Sequence, residues 1–168
     1  MTPADQQIAF IGAGNVATHM AKALRNAGMK IKAVYSHTLA SAQTLAAEVE
    51  ADAIDDIADL PEANIFVYCV KDDVLPEIAA INSLRFPNAL HIHTSGSTPA
   101  NVFLNQWHGV IYPMQTFSKN AALNFSEVRC YIEGSNRQSL KMIDNLTRSL
   151  TSHVSELDTE ARLCLHAA

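Results

Sequence analysis

The residues best placed to do chemistry lie near the start of the chain. Ile8-Ala-Phe-Ile-Gly12-Ala-Gly14-Asn-Val-Ala17 follows a short apolar run and opens a helical pattern. Gly12 allows a tight turn between strand and helix. Gly14 lets the backbone approach a pyrophosphate, and Ala17 is small enough for helix and strand to pack closely. The backbone N–H groups at the helix start, from Asn15 and Val16 onward, face a phosphate with no intrahelical partner. This spacing points to a dinucleotide. About 20 residues further on, an NAD site carries Asp or Glu for the ribose 2′-hydroxyl. Here the stretch reads Val34-Tyr35-Ser36-His37-Thr38, and no acid occurs from Gln6 to Ala47. Lys22, Arg25, Lys30 and Lys32 fall in the same stretch, and seven acids crowd Glu48–Glu62. Hydroxyls and a titratable histidine in place of a carboxylate favour a 2′-phosphate, hence NADP. The bland alternative makes Ser36 and Thr38 a turn and a helix cap.

Further candidates lie later in the chain. Val70 and Lys71 end the most apolar run, where Lys71 has the position to reach a phosphate. His91 and His93 alternate within a strand and so share a face. With no acid or cysteine nearby in sequence to complete a ligand set, the pair is not read as a metal site. His93 closes its strand, as a proton donor or an orienting group. Ser95 and Ser97 flank Gly96 and can hydrogen-bond ribose or a carboxylate; no GxSxG elbow makes either a nucleophile. Tyr112 and Gln115 follow the next strand and complete the catalytic candidates with His93 and Ser95. Cys69 and Trp107 read as core and packing residues.

The elements that must position these groups alternate. Strands are expected at Gln7–Ile11, Lys30–Tyr35, 53–54, Ile65–Val70, Ala89–His93, Gly109–Tyr112, Val128–Glu133 and His153–Leu157. Helices are expected at Asn15–Ala27, Leu39–Val49, Val74–Ile81, from Ser135 to Leu150, and from Asp158 to the end. Asp72 or Asp73, Ser135 and Asp158 are the expected N-caps. Strands alternating with helices predict an α/β fold: a doubly wound, mostly parallel Rossmann-like sheet with helices on both faces.

Composition bounds the function. The chain has 168 residues, 48% of them hydrophobic, with 12 Lys and Arg against 17 Asp and Glu for a net charge of −5. That is one core-forming domain, and its mildly acidic balance argues against a nucleic-acid binder. The three cysteines lack CxxC spacing, so neither a disulfide framework nor a zinc ribbon follows. With no signal-peptide pattern and no long apolar run, the chain reads as soluble and cytoplasmic.

IGAGNVATHMAKAL, followed by a strand ending in YSHT, resembles the Rossmann-like NADP-binding domain of the pyrroline-5-carboxylate reductase and deazaflavin-dependent NADP oxidoreductase superfamily. His93-Thr-Ser-Gly-Ser97, His108-Gly-Val-Ile-Tyr-Pro-Met-Gln-Thr-Phe-Ser118 and the ending Arg162-Leu-Cys-Leu-His-Ala-Ala168 are similar to a branch of predicted oxidoreductases in which a helical domain of unknown function follows. The resemblance implies that Val70-Lys71-Asp72-Asp73 runs under the adenosine ribose and pyrophosphate, with the HTSGS loop beside the nicotinamide ribose. It implies that Tyr112-Pro113-Met114-Gln115 stands where the reductases carry a Met-Pro-Asn segment.

Two functions stay open at this point. One is an NADP-dependent oxidoreductase moving a hydride to or from a small molecule such as an imine or keto acid. The other is a non-catalytic NADP(H)-binding regulator or sensor. Residues 1–157 are expected to form the nucleotide-binding domain. Residues 158–168 are expected to begin a linker helix toward a further helical domain, because no Gly, Asn or Pro stops the helical pattern. Its apolar positions Leu163 and Leu165 need a partner beyond the nucleotide-binding domain. The resemblance also implies a homodimer at full length; the charge balance and the apolar pattern lead us to expect no nucleic-acid or membrane partner.

Overall fold

The computed structural model describes residues 5–168. Eight strands form one sheet: β1 (Gln7–Ile11), β2 (Lys30–Tyr35), β3 (Asp52–Ile54), β4 (Ile65–Tyr68), β5 (Leu90–His93), β6 (His108–Pro113), β7 (Cys130–Gly134) and β8 (Val154–Glu156). Their spatial order is β3-β2-β1-β4-β5-β6-β7-β8. Every neighbouring pair is parallel except β6 with β7. The helices are α1 (Asn15–Asn26), α2 (Leu39–Val49), α3 (Leu75–Arg85), α4 (Arg137–Arg148) and α5 (Thr159–Ala167).

The two-residue period of a strand sorts each central strand between two cores. Ile8, Phe10, Ile65, Val67, Leu90 and Ile92 point to a cluster shared with α1, α2 and α4. Ala9, Ile11, Phe66 and Tyr68 point to the opposite cluster, where Leu75 and Ala79 of α3 and the loop residue Phe103 meet them. Strands apolar on both faces are what a sheet covered on both sides requires.

Several local expectations need correction. β4 ends at Tyr68, so Cys69 and Val70 form the loop beyond it, half-buried. Cys69 is thus a loop wall and not a strand-core residue. Neither Asp72 nor Asp73 caps α3; Val74 sits at its N-cap without a side-chain bond, and Pro76 starts the helix where its missing N–H costs nothing. Asp72 is instead held by the Ser97 hydroxyl, which donates to its carboxylate. Asn136 and not Ser135 caps α4, accepting from the Ser139 N–H, because Ser135 is spent bridging Gln106 and His108. Asp158 does cap α5, accepting from Ala161 N–H at 2.8 Å. Between β5 and β6 the chain makes only a short 3-10 turn at Ala100–Val102.

The helix α5 docks through polar groups. Leu163 and Leu165 are only half-buried, while Arg162 is 1% exposed. Its guanidinium donates to the Glu133 carboxylate on β7 and to the Thr98 carbonyl. Thr159 donates to the same carboxylate at 2.9 Å and accepts from the Ala100 N–H at 3.3 Å. A buried charge docks the helix, paired with Glu133 and the Thr98 carbonyl, while its Nε has no partner among the described residues.

Gly109 of β6 pairs with Gly134 of β7 beneath α4. A Cβ at Gly109 would land on the Glu133 carbonyl and the Ile143 side chain, and one at Gly134 on the Leu140 backbone. Close approach of α4 therefore needs both glycines. Gly109→Ala is expected to lower stability by about 1–3 kcal/mol, the usual cost of overpacking; a urea midpoint equal to that of the unaltered chain would contradict this.

Candidate functional site

Parallel β1, β2, β4, β5 and β6 bring their carboxyl ends to one edge, where open α/β sheets bind ligands. A cleft runs along that edge in two halves. One, of about 600 Å3, is lined by Gly12, Gly14, Ser36, His37, Thr38 and Lys119 among others. The other, of about 400 Å3, is lined by Asn15, Val16, Ser95, Tyr112, Gln115 and His166 among others. Cys69, Val70 and Lys71 line both halves and form the sill between them.

The turn at the centre is set by backbone contacts. Gly12 has φ +113°, its N–H donates to the Tyr35 carbonyl at 2.8 Å, and a Cβ there would strike the Cys69 carbonyl. Only glycine fits that conformation and that approach. Gly14 differs: its φ is −81°, and a Cβ there would meet nothing within 4 Å. The fold itself does not demand glycine at 14; the open space above it, at the start of α1, does so only for an occupant. That start carries no side-chain cap and no acid in its first turn, so its N–H groups and dipole are free for an anion. A dinucleotide pyrophosphate fits this cradle.

The predicted residues distribute as follows. Ser36 is buried at the end of β2, and its Oγ accepts from the Thr38 N–H at 3.2 Å. His37 and Thr38 are exposed on the cleft rim. Thr38 is the N-cap residue of α2 but makes no side-chain cap, so its hydroxyl is not used up by the helix. Lys71 is exposed on the sill. Asn15 donates its side-chain amide to the Phe117 carbonyl at 3.0 Å, which leaves its backbone N–H for a ligand. Together with the ring contact of His19 on Phe117 at 5.7 Å, this draws the segment after β6 over α1 and brings Lys119 to the larger half.

His93 requires correction as a proton donor. It is 0% exposed, its Nδ1 accepts from the Ser95 N–H at 3.1 Å, and its Nε2 meets the Pro99 carbonyl at 3.1 Å. That network assigns the proton to Nε2. Burial pushes its pKa down to about 4, against the Pro99 carbonyl that favours the charged form. His93 therefore orients the HTSGS loop from inside. His91, also buried, engages Tyr68 Oη at 2.7 Å and the Phe86 carbonyl at 2.8 Å, and burial lowers it likewise to about 4. Both nitrogens of each ring are occupied within the chain, so neither ring offers a lone pair to a ligand.

Ser95 shapes the same loop. Its Oγ accepts from the Ser97 and Thr98 N–H groups at 3.1 and 3.0 Å and donates to Thr98 Oγ1 at 3.0 Å. Tyr112 reaches the smaller half from β6, and its hydroxyl lies 3.0 Å from His166 Nδ1. Burial raises the Tyr112 pKa, aided by Tyr131 nearby. Gln115 is exposed in the same half. Sequence reasoning missed Lys119 and His166. Lys119 directly follows the YPMQTFS stretch, and His166 lies in the quoted C-terminal ending, one turn after Arg162 on α5; spacing alone tied neither to the cleft.

Sequence and structure comparisons bear on this edge. The family model described as NADP oxidoreductase, coenzyme F420-dependent, matches residues 7–90, half of the chain. A protein of Bacteroides fragilis that carries the name NADP oxidoreductase superposes with a TM-score of 0.93 at 37% identity, over 99% of this chain and 66% of its own. Prephenate dehydrogenase from A. aeolicus, solved with NAD+, gives 0.81 at 15% identity over 94% of this chain and 61% of its own. An imine reductase from Myxococcus stipitatus, solved with NADP+, gives 0.75 at 16% identity over 96% and 58%. The last two share the fold. The chain spans less than two thirds of the length of each of the three. The curated proteins contain no match to the chain.

Two outcomes follow from this geometry. Gly14→Val should fold normally yet lose dinucleotide binding, since a branched side chain fills the cradle; undiminished binding by calorimetry would show that the turn is not the site. Stability should also fall in mild acid. His91 and His93 are held neutral down to about pH 4, whereas the unfolded chain protonates them near 6.5. The contribution is therefore complete above about pH 6.5 and is lost toward pH 4, at roughly 1.4 kcal/mol per pH unit for each histidine. Urea midpoints measured across that window should decline, and a flat profile would refute the assignment.

Proposed function

We propose, from the premise that this chain belongs to the family of coenzyme-F420-dependent NADP oxidoreductases, that it is the nucleotide-binding part of an enzyme exchanging a hydride between NADP(H) and a small molecule. NADP is its dinucleotide. The observation that carries the reading is the pairing of the open approach to Gly14 with a β2 end that bears no carboxylate.

NADP, when bound, supplies or accepts the hydride. The chain's own residues bind and orient it. The start of α1 at Asn15 and Val16 receives the pyrophosphate. Ser36, His37 and Thr38 meet the 2′-phosphate: Ser36 keeps its own hydrogen to donate while its oxygen is held by Thr38, and Thr38 has a free hydroxyl. Lys71 and Lys119 add positive charge along the same half, where a doubly charged phosphate replaces the 2′-hydroxyl. Ser95, Tyr112 and Gln115 border the half that receives the nicotinamide and substrate, an imine or a 2-oxo acid on this reading. His93, Arg162 and Asp72 hold the HTSGS loop that forms its wall. The resemblance to the reductases supports a cytoplasmic homodimer for the working enzyme.

The test is cofactor preference. NADPH is expected to bind at least ~10-fold more tightly than NADH, a gap of ~1.4 kcal/mol. Ser36→Asp should reverse that order, because a carboxylate at the β2 end repels phosphate and accepts from a 2′-hydroxyl. Equal affinities of the unaltered chain for the two nucleotides would sink the reading.

A further inference from the structure

The inner face of α5 carries Thr159, Arg162 and His166 at helical spacing, and of the three His166 lines the smaller half of the cleft. Arg162 grips the HTSGS loop through Thr98, and Thr159 holds Ala100. One turn on, His166 stands over the loop. Its ring meets Tyr112 edge to face at 5.6 Å, with the Tyr112 hydroxyl 3.0 Å from Nδ1. A Cβ on Gly96 would collide with the His166 ring and the Tyr112 ring together. The loop is therefore cut away at Gly96 to let this pair sit against it. Both rings line the half bounded by Asn15, Val16 and Ser95. His166 is exposed, so its ring is open to solvent.

Two of the polar groups that line this half beside Tyr112 are committed elsewhere. The Ser95 hydroxyl is spent on its own loop, and Asp72 holds Ser97. The Tyr112 hydroxyl has one partner, His166, and an oxygen that can both donate and accept.

We propose that Tyr112 is the proton donor to the substrate heteroatom in this half of the cleft, with His166 as the positioning residue that resupplies the proton. The inference rests on the NADP-oxidoreductase reading above. In the reductive direction the carbon of a C=O or C=N bond gains a hydride from NADPH, leaving NADP+. The heteroatom takes the Tyr112 hydroxyl proton as that O–H bond breaks. The phenolate oxygen takes the Nδ1 proton of protonated His166, and solvent returns one proton to the exposed ring. The sum is one hydride and one solvent proton added across the double bond. In oxidation the same pair runs in reverse.

The test reads Tyr112 directly and needs no substrate. Tyrosinate absorbance is followed in rapid pH jumps for the chain with NADP+ and with 2′-phospho-ADP-ribose, which lacks the nicotinamide, and the signal of Tyr112→Phe is subtracted. The charged groups around Tyr112 are His166 on α5, Tyr131 on β7, and Lys71 and Asp72 on the loop after β4; all are the same in both complexes. A positively charged nicotinamide ring beside the phenol should bring tyrosinate formation at least about one pH unit lower with NADP+ than with the truncated nucleotide. His166→Phe keeps an aromatic ring against Tyr112 and should raise the onset, because no Nδ1–H remains to donate to the phenolate. His166→Asn, which restores a donor near that point, should bring it back. Identical onsets with the two nucleotides, or an onset indifferent to both His166 variants, overturn the proposal. Calorimetry on the same samples separates the two failures: no binding of NADP+ overturns the dinucleotide reading itself, while binding with an unmoved onset overturns the Tyr112 role alone.

Discussion

Parallel pairing from β3 through β6 is the constraint on which everything else in this molecule depends. A parallel strand returns to the same end before it runs again, so Gly12, Ser36, Cys69, Thr94 and Met114 all follow a strand at one edge of the sheet. Residues more than a hundred positions apart therefore share one cleft. Closeness at that edge is set by backbone: the turn at Gly12 lies on the Cys69 carbonyl, and Cys69 N–H donates to Ile11 at 2.8 Å. The cradle at Gly14 exists because the strand ends beneath it are locked first.

The pairing of β6 with β7 breaks the parallel run, and the break has consequences for the site. No α-helix intervenes between these strands, only a 3-10 turn at Phe125–Glu127. The chain after β6 instead loops over α1, held by Asn15 on the Phe117 carbonyl, and delivers Lys119 to the larger half of the cleft. β7 then returns beside β6 and sets Glu133 where Arg162 can find it. A buried guanidinium is costly unless it is paired. Here one carboxylate and one carbonyl engage it, and the result is that α5 and the HTSGS loop hold each other. One turn beyond Arg162 the same helix carries His166 to Tyr112. The smaller half of the cleft is thus bordered by a helix and a loop that Arg162 ties together.

The buried histidines show how a polar residue is read differently once its neighbours are known. His91 and His93 share a face, as a strand dictates. On that face they meet Phe103, whose ring lies 5.8 and 5.9 Å from theirs. A group that looks reactive at the end of a strand is there a neutral ring that fixes a loop through Ser95 and Pro99.

Much of the fold was legible because it rests on local rules. Two-residue alternation, the glycines of the first turn, the missing carboxylate after β2 and the Asp158 cap are all properties of short stretches. From them follow the fold class, the element order and NADP as the cofactor. What tertiary structure decided concerns groups whose meaning lies in distant partners. Ser135 looked like a cap until Gln106 and His108 took its hydroxyl. Asp72 looked like a cap until Ser97 donated to it. Arg162 docks α5 through Glu133 and Thr98, both distant in the chain. Lys119 and His166 reached the cleft only through an antiparallel turn and a docked helix, which no spacing in the sequence encodes. Periodicity and turn chemistry act between neighbours in the chain, whereas burial of a charge, the tautomer of a ring and the pairing of Tyr112 with His166 depend on what the folded sheet brings alongside.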